Sequence, residues 1–327
     1  MVDGTQGRGR EVRRCATRPR SRATIGSMLL SLVLVVLGLA VGAVSDASAQ
    51  PQRASAQPQW IVFAARPPGF GVEQLYRITP SGQGLKQLTK GTYASSAPAF
   101  APNGKKIAFA ELGAGIFSMN VDGTGVRRLT TNGRDSFPAW SPDGKQIAYI
   151  RPDANGWRVH VMSASGAGER VLRLAPPAGR PTWSRRGLLI PTEGDLARID
   201  PKSGKVYQRF GATIDAVVGM TETSVSPDLR TITFVGAGPQ DPGDKDCGEG
   251  VACPRFALYV ESLGKNKGPR ILARDAGPAS FSNDGKRLAF VAKNRIVLRL
   301  LANGSSKSIK TGKVLPTVST PPVWQPR

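Results

Sequence analysis

Few residues in this 327-residue sequence have the types and spacing that chemistry requires. There is one histidine, His160. A lone imidazole offers neither a nucleophile–base pair nor the several ligands that a histidine-held metal centre needs. It lies in the strand-like run RVHVM (158–162) and aligns with Tyr76, Phe117, Ala197 and Tyr259 of similar runs. It therefore reads as a sheet-face packing position. No G-x-S-x-G nucleophile elbow occurs. Cys247 and Cys253 are the only cysteines after residue 49, and in an exported chain such a pair predicts a disulfide. The loop it closes is short, so the expected gain is about 2 kcal/mol. Free thiols or a metal site are the other uses of the pair. The same segment, GPQDPGDKDCGEG (238–250), crowds Asp241, Asp244, Asp246 and Glu249. Those oxygens could hold calcium, but they lack the D-x-[DN]-x-[DN]-G order of an EF-hand, and a solvated acidic turn is the plainer expectation. The G-x-G pairs (82/84, 113/115, 123/125) never reach the third glycine of a dinucleotide fingerprint and read as turns, as does the sequon at Asn303-Gly304-Ser305. No cofactor is expected and no catalytic residue stands out.

The N-terminus is set apart by its order. Seven arginines between Arg8 and Arg22 precede an uncharged, mostly apolar run over residues 25–44, and Ala47-Ser48-Ala49 follows. Basic, apolar, small-residue is the order of a secretory signal. The apolar run is also close to the ~20 residues that span a bilayer. Residues 1–49 are therefore expected to be a signal cleaved after Ala49 or an uncleaved anchor. In both cases the arginines stay inside and the rest lies outside the cytoplasm. The flanks of Arg13-Arg14 fit a twin-arginine signal poorly. Beyond residue 49 the chain has 38 basic against 20 acidic residues, a net +18. Such a balance attracts anionic envelope components. The basic residues are scattered and not pooled, and no basic–aromatic ladder or nucleic-acid motif is present, so nucleic acid is not an expected partner.

Glycine and proline number 38 and 26, about a fifth of the chain, which favours many short elements joined by turns. One phrase recurs: PAFAPNGKKIAFA (98–110), PAWSPDGKQIAYI (138–150), PTWSRRGLLIPT (181–192), TSVSPDLRTITFV (223–235) and PASFSNDGKRLAFV (278–291). Its anchor residues Phe100, Trp140, Trp183, Val225 and Phe281 are 40, 43, 42 and 56 residues apart. A period near 40–45 marks a propeller blade. Each copy reads as strand, tight turn, strand, because Pro presets φ and Gly accepts positive φ. Two more strand-like runs follow each copy, giving four antiparallel strands per unit. The first unit, beginning at Trp60-Ile61-Val62-Phe63, has no innermost strand before it. Pro321-Pro322-Val323-Trp324 matches the missing one, 43 residues after Phe281. The expected fold is all-β: a six-bladed propeller over residues 60–327, closed by the C-terminal strand pairing into the first blade, with residues 50–59 as linker.

The P-x-W-S-P-D-G-K-x-I-A-F phrase, with its later D-G turn and R-x-L-T, resembles the TolB-like β-propeller, a relative of the WD-repeat propellers. The copies at 98, 138 and 278 match closely. Those at 181 and 223 depart from it, with Arg185-Arg186 in place of Pro-Asp and Leu229 in place of Gly. The motif consists of turn and packing residues, so the resemblance implies a fold and not an activity. Only ten residues separate Ala49 from Trp60, so the N-terminal domain of TolB is not expected here.

If the Pro-Asp-Gly turns occupy one face of the ring, the remaining loops emerge on the other. That face would gather Phe70, Tyr93, Phe137 and Trp157 beside Arg66, Lys90, Arg134 and Arg151. Aromatics and arginine are common interface anchors, although each aromatic could instead tuck into its own loop. The expected function is an exported, non-catalytic monomeric scaffold that binds a protein or an anionic envelope component through this rim, with membrane contact only through the N-terminal segment. The alternative is an enzyme or a small-ligand or metal sensor using the central channel.

Overall fold

The computed structural model describes residues 59–69, 71–154, 156–174, 177, 179–192, 195–211, 221–237, 256–263 and 268–326. Among the described residues, twenty-five strands form six antiparallel sheets. Blade 2 is β4 (Ser95–Phe100), β5 (Lys106–Glu111), β6 (Gly115–Asn120) and β7 (Arg127–Arg128). Blade 3 is β8 (Ser136–Trp140), β9 (Gln146–Asp153), β10 (Gly156–Ser163) and β11 (Arg170–Val171). Blade 4 is β12 (Thr182–Ser184), β13 (Gly187–Thr192), β14 (Asp195–Ile199) and β15 (Val206–Gly211). Blade 5 is β16 (Thr221–Val225), β17 (Thr231–Ala237), β18 (Phe256–Ser262) and β19 (Arg270–Arg274). Blade 6 is β20 (Ala276–Phe281), β21 (Arg287–Ala292), β22 (Arg295–Leu300) and β23 (Ser306–Ile309).

Blade 1 takes its outer three strands from one end of the chain and its innermost from the other. β1 (Ile61–Arg66), β2 (Gln74–Ile78) and β3 (Lys86–Gln87) are completed by β24 (Leu315–Pro316) and β25 (Val323–Trp324), both of which pair with β1. The C-terminal closure expected from the PVW segment is therefore present. It joins the two ends of the sheet series and leaves no broken blade.

The second strand of each blade is a run of small and large apolar residues because it is covered on both faces. Successive side chains point to opposite faces, so one strand feeds two cores. Phe109 and Ile107 pack towards blade 1, while Ala108 and Ala110 face blade 3. The described residues form six hydrophobic clusters, one at each of the six blade-to-blade interfaces. No blade has a core of its own, which is why the repeats must close on one another to be stable.

The inner strands share an irregularity. In blades 2, 3, 5 and 6 the pairing between first and second strands shifts by a bulge, at Ser96/Ala99, Ser136/Ala139, Thr221/Ser224 and Ala276/Ala279. Ala97, Phe137 and Glu222 take positive φ within three of these bulges. A bulge bends its strand and re-aims the side chains beside it. Here it turns Phe137 and Glu222 towards the neighbouring blades at the channel mouth. In blade 1 the corresponding interruption is longer and runs from Thr317 to Pro322.

Candidate functional site: the loop face of the channel

In a four-stranded antiparallel blade the first and third connections leave from one edge and the second from the other. The Pro-Asp-Gly turns therefore share one face with the outer hairpins, and the longer loops share the opposite face. At that loop face a cavity of 610 Å³ opens among blades 1, 2 and 3. Its walls include Arg66, Val72, Leu112, Phe137 and Thr320. The loop positions are fixed by backbone bonds. Leu112 N–H donates to the Ala94 carbonyl at 3.0 Å, and Gly113 N–H donates to the Gly133 carbonyl at 3.0 Å. The interruption of the closing strand is tied down by Ser319 Oγ, which donates to the Glu73 carboxylate at 2.8 Å.

Val72 and Leu112 line this cavity, and three more exposed apolar side chains adjoin its lining: Tyr93 beside Gly113, Trp157 stacked on Phe137, and Val318 next to Ser319 in sequence. Leu112 is 71% exposed, Tyr93 55%, Val318 52%, Trp157 45% and Val72 43%. On the opposite face the exposed Leu85, Val126 and Leu300 sit on outer hairpins of three separate blades. Scattered exposure is ordinary, whereas a contiguous patch marks an interaction surface.

The rim residues expected from sequence have different surroundings. Arg66, Lys90, Tyr93 and Arg134 are exposed on the loop face. Phe137 and Trp157 stack on each other at 6.2 Å between ring centres, and the Arg180 guanidinium lies 5.9 Å from the Phe137 ring. Trp157 is thus held by a neighbour yet keeps one side in solvent. Phe70 lies outside the described residues, as do Cys247, Cys253, Asp241, Asp244, Asp246 and Glu249. Among the described residues no group of three or more His, Cys, Asp or Glu side chains is placed to hold a metal.

Arg151 is engaged inside the protein. Its Nε and Nη2 donate to the two oxygens of Asp135 at 2.6 and 2.8 Å, and Nη1 donates to Glu169. The Asp135 side chain has no exposure at all, so this bidentate pair compensates a carboxylate that water cannot reach. Glu169 also meets His160 Nδ1 at 3.0 Å. Burial opposes ionisation of Glu169, but hydrogen bonds from Tyr149 and Arg151 outweigh it and hold its pKa below the ordinary value. Burial, with the Arg151 charge, lowers the pKa of His160 and favours neutral imidazole.

His160 stacks on Tyr149 at 5.4 Å. The same register positions carry Phe63 on Tyr76, Phe109 on Phe117 and Phe234 on Tyr259 in blades 1, 2 and 5. The one histidine thus occupies the aromatic position that joins second to third strands, as its alignment implies.

Comparison with known proteins follows the same lines. A family model described as the TolB beta propeller domain matches residues 47–192. The crystal structure of TolB from Acinetobacter baumannii superposes with a TM-score of 0.58 at 19% identity, over 82% of this chain and 67% of that one. The chain is a six-bladed β-propeller that resembles the TolB propeller. A chain of a nidogen–laminin complex gives the same TM-score at 12% identity, over 81% of this chain and 98% of that one. At these identities the likeness is one of fold. No curated protein matches the sequence. Within the TolB-like propeller, Val72, Leu112 and Val318 went unsuspected because each is a single apolar residue in a loop. Leu112 had one visible signal, as an apolar residue placed directly after the charged end of the second strand.

Proposed function

We propose that this TolB-like propeller is an extracytoplasmic scaffold that binds a protein partner through its loop face. The observation that carries the reading is the exposure of Val72 and Leu112 in the wall of the 610 Å³ cavity, with the exposed Tyr93, Trp157 and Val318 on the same loop face. An apolar centre with a polar rim is the anatomy of an interface. Arg66, Lys90 and Arg134 supply that rim, and their sign favours a partner with acidic residues around its own apolar centre. The signal-like order of residues 1–49 supports placement outside the cytoplasm. The nidogen–laminin structure is a protein–protein complex containing a chain of similar fold, which makes the proposed role one that this architecture can serve.

The test is affinity capture from envelope extract of the producing cell, comparing the wild-type protein with a Leu112→Glu/Tyr93→Ser variant. A partner identified by mass spectrometry, recombinantly re-bound by the wild type and lost by the variant, is expected. Equal re-binding by both proteins removes the loop face from the account.

A further inference from the structure

The other mouth of the channel, on the hairpin face, is a cavity of 530 Å³ to which all six blades contribute. Its lining includes Trp140, Trp183, Arg185, Leu229 and Asn283. The two repeats that depart from the motif, in blades 4 and 5, are neighbours, and their departures face this one cavity.

In the regular turns an aspartate is occupied locally. Asp143, Asp228 and Asp284 accept from the hydroxyls of Ser141, Ser226 and Ser282 at 2.6, 2.6 and 2.5 Å. Each also accepts the backbone N–H two residues on. Blade 4 builds its turn differently. Trp183 pairs with Leu188 and Ser184 with Gly187, so only Arg185 and Arg186 form the loop, whereas Trp140 pairs with Ile147 in blade 3. The blade 4 hairpin is two residues shorter. It lacks the aspartate, and Ser184 alone ties it by donating to the Gly187 carbonyl at 2.9 Å and accepting Arg186 N–H at 3.1 Å. Arg185 is thereby released from any turn function and lines the cavity. Blade 2 likewise has Asn103 in place of the acid. Lys105, Lys106, Arg185 and Arg186 are all exposed, with no carboxylate in their own turns.

The departure in blade 5 is conformational. Leu229 occupies the position of Gly104, Gly144 and Gly285, which have φ of 67, 69 and 67°, and it adopts φ 60° itself. A leucine in the left-handed region costs roughly 1–2 kcal/mol relative to the right-handed one. Such strain gathers at functional sites. Here it places an isobutyl group in the cavity wall where the repeat has none.

We propose that the hairpin-face mouth is a second binding site, specialised in blades 4 and 5 for an acidic oligosaccharide. The half-buried Trp140 and Trp183 are the aromatic lining residues against which the C–H faces of sugar rings could pack. Thr182 and Asn283 Oδ1 are the polar lining groups that suit sugar hydroxyls, since the Ser141, Ser184 and Ser226 hydroxyls are held in their turns and the Asn283 NH2 donates to the Gln325 carbonyl at 3.1 Å. Arg185 offers a planar fork for a ring carboxylate, with Lys105, Lys106 and Arg186 in the turns of blades 2 and 4. The site lies on the face opposite Leu112, so the proposal and the loop-face reading stand or fall separately.

The experiment is isothermal titration of the full-length protein with a mannuronate trimer, at low and physiological salt. Neutral mannotriose and triglutamate are the comparisons. The expected result is binding of the mannuronate trimer that weakens with salt, with both comparisons at least about tenfold weaker. The Arg185→Ser/Arg186→Ser variant should lose about tenfold in affinity. The single Arg185→Gln variant takes its place should the double variant not fold. No binding of the mannuronate trimer, equal binding of triglutamate or mannotriose, or undiminished binding by the arginine variant overturns the proposal.

Discussion

Trp60 and Gln325, 265 positions apart in sequence, hold each other twice. Gln325 N–H donates to the Trp60 carbonyl at 2.8 Å, and Trp60 N–H donates to Gln325 Oε1 at 3.0 Å. The Gln325 amide also donates to the Gly104 carbonyl at 2.9 Å, so the side chain binds the first-blade seam to the hairpin of blade 2.

Gln325→Ala removes two of these bonds and orphans a partly buried N–H. The expected loss is about 1–2 kcal/mol in urea unfolding. An unchanged midpoint would show that Val323 and Trp324 carry the closure alone.

His160→Phe should alter the pH dependence of stability near neutrality. Burial depresses the His160 pKa, so the unfolded chain takes up the proton first. Stability from this residue is present above the ordinary value of about 6.5 and declines as pH falls through it. Urea midpoints of the wild type between pH 7.5 and 5.5 should fall more steeply than those of the variant, in which the aromatic stack on Tyr149 is retained. Parallel curves would mean that His160 does not report on folding.

Arg151→Ala should destabilise by about 3 kcal/mol, because it strands the fully buried Asp135 carboxylate. Arg134→Ala, on the same face but exposed, should stay within about 0.5 kcal/mol. Similar thermal midpoints for the two variants would contradict the division of the rim into structural and available arginines.

Leu229→Gly relieves the left-handed strain but gives up partial packing, whereas Leu229→Ala gives up packing and keeps the strain. The glycine variant should be the more stable of the two by about 1 kcal/mol. The reverse order in calorimetry would show that the backbone of blade 5 is not strained at this turn.

Much of this fold was legible because each blade states its own turn. The spacing of Trp140 and Trp183 and the match of Val323-Trp324 to the repeat led directly to six sheets and their closure. The blade 4 turn was harder. Arg185-Arg186 looks like a substitution of Pro-Asp when the motifs are aligned, and only the pairing of Trp183 with Leu188 shows a shorter hairpin. The candidate site was legible in part. Tyr93 and Trp157 signalled themselves by aromatic type in loops. Arg151 misled because its partners Asp135 and Glu169 lie on the loop before β8 and in the turn before β11, and the folding of blade 3 brings them together. Phe137 was anticipated on the rim, but its positive φ before a proline, which aims it at Trp157 and Arg180, comes from a bulge that no local pattern announces.

The proposed partner sits on the loop face around Leu112. Site-specific photo-crosslinking in the intact producing cell addresses it, with a photoreactive amino acid at Leu112 and, separately, at the exposed Lys202 on the opposite face. One discrete protein adduct is expected from position 112 and none of that mass from position 202. No adduct at 112, or the same adduct from both positions, would contradict it.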